Sequence, residues 1–215
     1  MRPYLISISP VATTAAGLAS ANSSAGATVT LDGSLTSGGT FTSADGMGRQ
    51  IVITDAGGSN QTSATYTITG TDPDGIAQTE DITGPDSTLS VTTVKYFKTV
   101  TSISIASPVA GSTVTIGTTG VLSTQTVPLN YRDVDAATHA VDVSGTINYS
   151  LRETLDQIHT LTNPSYDASW FPLTAAASND VLGTGTVNVT ACQLIVNSYS
   201  TGATIKYTIQ QNEGI

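Results

Sequence analysis

From residue 49 onward, apolar and polar residues alternate with a period of two over most of the chain. The run Ala64-Thr65-Tyr66-Thr67-Ile68-Thr69-Gly70 puts Ala64, Tyr66 and Ile68 on one face and threonines on the other. That is the pattern of a strand with one buried and one wetted face. Residues 50–54, 76–83, 89–91, 94–97, 100–105 and 113–117 read as further strands. Turn signals separate them at 55–60, 71–75 and 84–86. In Thr71-Asp72-Pro73-Asp74-Gly75, Pro73 fixes φ, Asp72 can accept from the backbone ahead, and Gly75 tolerates a positive φ. Short strands with turns every 8–12 residues predict a sandwich or barrel.

A second series begins near Gly120, with strands expected at 126–130, 140–143, 146–151, 186–196 and 204–209. Leu151, Leu155 and Ile158 stand at helical spacing, so 152–161 is either the one short helix or a strand that runs on. Residues 163–172 read as a loop carrying the only tryptophan. Residues 12–48 are almost entirely Ala, Gly, Ser and Thr, broken by alternating patches at 28–31 and 40–42. Such a stretch has little to bury and is expected to order only against something else. The expected architecture is all-β: two small β-sandwich or barrel modules behind an extended polar N-terminal arm. The arm covers 1–48, the first module 49–119, and a second, jelly-roll-like module 120–215. The start resembles a secretory leader only loosely, because Pro3, Ser7, Ser9 and Pro10 interrupt the apolar segment a leader needs. A short arm or first strand is expected there instead.

Composition narrows the partners. Thr and Ser make up about 29% of the 215 residues, while 11% are charged, against roughly 25% in an ordinary soluble protein. Low charge argues against disorder, which pairs low hydrophobicity with high charge. Sixteen acids face seven basic residues, for a net charge of −9. Arg2, Arg49, Lys95, Lys98, Arg132, Arg152 and Lys206 are scattered, so neither nucleic acid nor an anionic membrane is an expected partner. Cys192 stands alone in a strand-like run and reads as a small buried apolar residue rather than a nucleophile.

No catalytic, cofactor or metal residue is assigned. Asp72, Asp74 and Gly75 faintly resemble a calcium loop, with Glu80, Asp81 and Asp86 beyond them, but the late glutamate of an EF-hand is missing. Whether Asp72 and Asp74 bind calcium stays open, with a plain hairpin turn as the simpler reading. His139 and His159 belong to no zinc pattern. Glu153 and Asp156 form a possible carboxylate pair, yet any two of sixteen acids can meet in space. Trp170 and Phe171 are either the plug of the second module or an anchor on a partner. The expectation is a non-enzyme.

Exposed strand edges are normally protected by Lys, Pro or bulges. Here Thr and Ser occupy the polar positions, which fits a subunit covered by copies of itself, a trimer or larger. Segments 48–54, 69–75, 78–85 and 95–103 resemble a module of tailed-bacteriophage virion structural proteins, the Thr-Glu-Asp-Ile-Thr-Gly-Pro run at 79–85 most distinctively. Residues 141–150 and the Trp170-Phe171-Pro172 loop resemble a C-terminal module that accompanies it. The resemblance implies a virion component without catalytic residues or cofactors, assembled in the host cytoplasm. A capsid decoration, or cement, protein contacting itself and the major capsid protein is favoured over a neck, tail or fibre component. The rival from another class is an immunoglobulin-like bacterial surface adhesion module.

Overall fold

The computed structural model describes residues 4–23, 26–129, 137–174, 176–185 and 188–211. Arg2, Pro3, Asn130, Arg132 and the first two residues of the strand expected at 186–196 lie outside them. The chain is all-β, 51% strand and 4% helix. In chain order the strands begin with β1 (Tyr4–Ile8), β2 (Ala19–Ser23), β3 (Thr36–Ser37), β4 (Thr40–Thr42), β5 (Gly48–Asp55) and β6 (Thr65–Thr71). There follow β7 (Ala77–Thr83), β8 (Ser90–Thr92), β9 (Thr99–Ala106), β10 (Thr113–Ser123), β11 (Val127–Pro128) and β12 (Thr138–Ser144). After β13 (Ile147–Thr154) come a 3-10 turn (Ile158–Thr160) and the single-turn helix α1 (Pro164–Asp167). The last strands are β14 (Phe171–Pro172), β15 (Val181–Thr184), β16 (Ala191–Tyr199) and β17 (Thr204–Gln210).

One unit comprises Thr13–Leu122. Its five-stranded antiparallel sheet runs β3-β4-β9-β6-β7, and its other layer joins β10, β5 and β8, with β2 on β10. Strict alternation sends Tyr66 and Ile68 of β6, and Ile51 and Ile53 of β5, into one core with Phe97, Val100, Ile103, Val114 and Ile116. β-branched residues fit this pleated, half-buried surface. Arg49 also faces inward on β5, paired with Asp45 and donating from Nε to Ser43 Oγ at 3.2 Å.

Residues 13–48 are not an arm. Leu18, Ala19, Val29, Leu31 and Phe41 enter the same core. Backbone bonds tie them in, from Leu18 N to Ile116 O at 2.8 Å and from Val29 N to Ile103 O at 2.9 Å. The sparse apolar residues of this stretch are the ones the core takes up, and its threonines suit strands. The first residues part from it altogether. Met1–Ala12 belongs with Ser123–Ile215 as the second unit, so the boundaries fall at 13 and 122 rather than 49 and 119.

In that second unit one antiparallel sheet runs β1-β17-β12-β15, and the other layer contains β14, β13 and β16, with β11 on β16. Ile147, Tyr149 and Leu151 of β13, and Ile205, Tyr207 and Ile209 of β17, take alternating buried positions. The 152–161 segment is neither of the expected elements throughout. The strand runs on to Thr154, held by β16 through Glu153↔Cys192 and Thr154↔Ala191. Only a 3-10 turn follows, in which Ile158 is buried while Leu155 before it is 54% exposed. Within the expected loop 163–172, Asn163 caps α1 by accepting from Tyr166 N at 3.2 Å, and β14 pairs with β13.

Candidate functional site

The sheet edges are where this protein is least ordinary. In the second unit β1 and β15 end one sheet, and β14 flanks β13 in the other layer. In the first unit β8 flanks β5, and β3 and β7 end the five-stranded sheet. Of these six strands only β7 holds charged residues, Glu80 and Asp81. Glu80 is spent locally, accepting from Val94 N at 2.7 Å and Lys95 N at 2.8 Å. Three of the uncharged strands carry exposed apolar groups: Leu5 on β1 at 61%, Leu182 on β15 at 78% and Phe171 on β14 at 57%. Leu89 and Val94 flank β8 and are also exposed. The outward N–H and C=O groups of an edge strand, beside such side chains, are a template for another strand.

Inside the second unit lies a polar cluster that the sequence pattern alone did not assemble. His139 on β12 bonds Tyr207 on β17 through Nδ1 at 2.7 Å and Glu153 on β13 through Nε2 at 3.1 Å. The His139 and Tyr207 rings stack, with centroids 5.9 Å apart and planes at 13°. Cys192 on β16 completes the group, and all four residues are buried. Gly185 closes it: a Cβ there would stand 1.9 Å from Glu153 Oε1 and 2.7 Å from His139 Nε2. Burial pushes the Cys192 thiol up to about 12, and burial pushes the Tyr207 hydroxyl well above the usual phenol range, the charges of Cys192 and Glu153 adding to it. Thiol and phenol therefore keep their protons at neutral pH. The cluster bridges the two layers of its sandwich, and this arrangement makes it a fastener. The visible signal for it was parity: Glu153 shares the inward face of β13 with Ile147, Tyr149 and Leu151.

The other candidate residues go separate ways. His159 is exposed on the 3-10 turn, beside a pocket of about 40 Å³ lined by Gln157, Ile158, His159 and Thr190. That volume holds a few waters at most. Glu153 faces the interior, while Asp156 accepts from Ser169 N at 2.6 Å. Asp72 is buried, and its Oδ1 accepts from Ile76 N at 2.7 Å in a turn where Gly75 has φ +85. Its Oδ2 is buried without a hydrogen bond, and burial, assisted by the charge of Asp74, holds the carboxyl above its ordinary range. Asp74 is exposed, Asp81 accepts from Thr67 Oγ1 at 2.6 Å, and Asp86 accepts from Ser87 N at 2.7 Å. Among the described residues no three of His, Cys, Asp and Glu converge as metal ligands. Trp170 is half-buried, donating from Nε1 to Ser165 O at 3.2 Å under the Arg152 guanidinium at 4.7 Å, whereas Phe171 is exposed.

No protein-family model matches this chain, and no curated protein matches it in sequence.

Proposed function

We propose that this chain is a non-enzymatic structural subunit of a bacteriophage particle, a capsid decoration protein that strengthens the shell through contacts with copies of itself and with the major capsid protein. The observation that carries this reading is the pair of uncharged edges on one sheet, β1 and β15, each presenting a large exposed leucine. A free-standing protein blunts such edges with Lys or Pro. A subunit that works inside an assembly has its edges covered by neighbours. The Thr- and Ser-rich surface supports the same view, since covering a hydroxyl that finds a hydrogen-bond partner costs far less than covering a charge. Cementing needs no tight single contact, because many weak contacts on a repeating shell add through multivalency.

The test is immunogold electron microscopy of phage particles induced from the strain that carries the gene, using serum against the purified chain. Label distributed over heads is the expected result. Label confined to tails or necks moves the protein to that part of the particle, and particles without label overturn the reading.

A further inference from the structure

We propose that β15 of one copy pairs with β1 of the next, so that the sheet β1-β17-β12-β15 continues head to tail from chain to chain. The proposal rests on the structural-subunit reading above and names the surface and the partner, a second copy of this chain. Strand direction is the first support. Three successive antiparallel pairings make β1 and β15 run in opposite directions. A copy in the same orientation thus offers β1 antiparallel to β15, the slightly more stable of the two ladders.

Register is the second support. Leu5 pairs with Thr208, Thr208 with Ala140, and Ala140 with Leu182. Directly paired residues share a face of the sheet, so Leu5 and Leu182 are the two ends of one row. They are also among the most exposed large apolar residues of the protein. Carrying the row across the edge sets Leu182 against Leu5 of the next copy. The same register sets Val181 against Ile6, both half-buried residues on the opposite face, and Gly183 against Tyr4. A slip of one residue sets each leucine against the wrong face, and this fixes the alignment. Neither strand holds a charge to desolvate. A two-fold pairing of β15 with β15 is antiparallel too, but it leaves Tyr4 and Leu5 uncovered. Head-to-tail contacts use two different surfaces and build rings or filaments, not isolated pairs.

The test uses the full chain with lysine placed on one edge at a time, read by light scattering after size exclusion and by native mass spectrometry. Wild type is expected as species of three or more copies. Leu5→Lys alone and Leu182→Lys alone are each expected as monomers. Their equimolar mixture is expected to give a heterodimer, because the Leu5→Lys chain keeps β15 and the Leu182→Lys chain keeps β1. That complementation also shows that both variants are folded. Both leucines are largely exposed in the single chain, so a wild-type far-UV circular dichroism spectrum is expected, and a variant that loses it is replaced by Leu→Gln at the same position and read in the same way. Dimers of Leu5→Lys by itself, a mixture of folded variants that stays monomeric, or a wild type that is only monomer or dimer would each overturn the proposal. So would a wild-type oligomer that neither lysine disturbs. Labelled virions alongside any of these results leave the subunit reading standing, and unlabelled virions defeat that reading whatever the edges do.

Discussion

Removing one oxygen from the buried cluster tests whether it is a fastener. Tyr207→Phe deletes the hydroxyl that bonds His139 Nδ1 at 2.7 Å and keeps the ring that stacks on the imidazole. Packing is thus nearly unchanged, and the main loss is a partner for a buried polar nitrogen on a residue only 1% exposed. Leaving such a group unsatisfied costs about 1–3 kcal/mol. For a domain of roughly 100 residues, that corresponds to a fall in melting temperature of roughly 5–15 °C. Differential scanning calorimetry at pH 7 measures it directly. A pairwise control comes from His139→Phe with Tyr207→Phe, which removes both partners and leaves Glu153 facing apolar rings. The double variant should be at least as destabilised as the single one, because a buried carboxylate has then lost its imidazole. If Tyr207→Phe melts within a degree or two of wild type, the hydroxyl is not holding the layers together and the fastener account fails.

Three further outcomes are expected. Asp72 has a folded-state pKa above its unfolded value, so it penalises the fold once pH rises through the unfolded value, and the penalty is complete above the folded one. Asp72→Asn should therefore unfold at higher denaturant than wild type at pH 7, with the difference shrinking as pH falls toward 4. Arg49→Met removes the cation from a buried ion pair with Asp45, whose carboxylate is then held only by neutral donors such as Ser43 Oγ and Met47 N, and should cost about 3 kcal/mol in urea unfolding. Gly185→Ala drives a Cβ against Glu153 Oε1 and His139 Nε2, so it should lower the melting temperature more than an alanine at Gly183, where a Cβ meets only Val181 Cγ1 at 4.0 Å.

The strands were legible wherever alternation was strict. The pattern in 64–70 gives the burial of β6 residue by residue, and the Pro73–Gly75 signal gives the β6–β7 turn, because both depend on neighbours in sequence. What was not legible depended on distance. Leu18, Val29 and Phe41 look like stray apolar residues in a polar tract until β9 and β10 supply the core they enter. The pairing of β1 with β17 joins residues about 200 positions apart, and no local pattern announces it. His139, Glu153 and Tyr207 each sit at an inward parity, which was readable, yet their meeting requires the order of strands in two layers.

The acidity of the chain has a structural source that bears on its edges. Asp32 accepts from Ser20 N at 3.0 Å, Asp55 from Ser59 N at 3.1 Å and Thr88 N at 3.0 Å, and Asp180 from Val143 N at 2.8 Å. Asp72, Glu80, Asp86, Asp156 and Asp167 likewise accept from backbone N–H groups in turns and loops. A chain with small cores and many connections has many backbone donors to satisfy, and an ionised carboxylate is an acceptor-only group that serves them well. For Asp55, burial alone raises the pKa, yet donors from Thr88, Gln61, Gly58 and Gly57 outweigh it and hold the carboxyl below its ordinary value. The surplus of acids is thus largely consumed in fastening loops. Little charge remains for the edge strands, and β1 and β15 hold none.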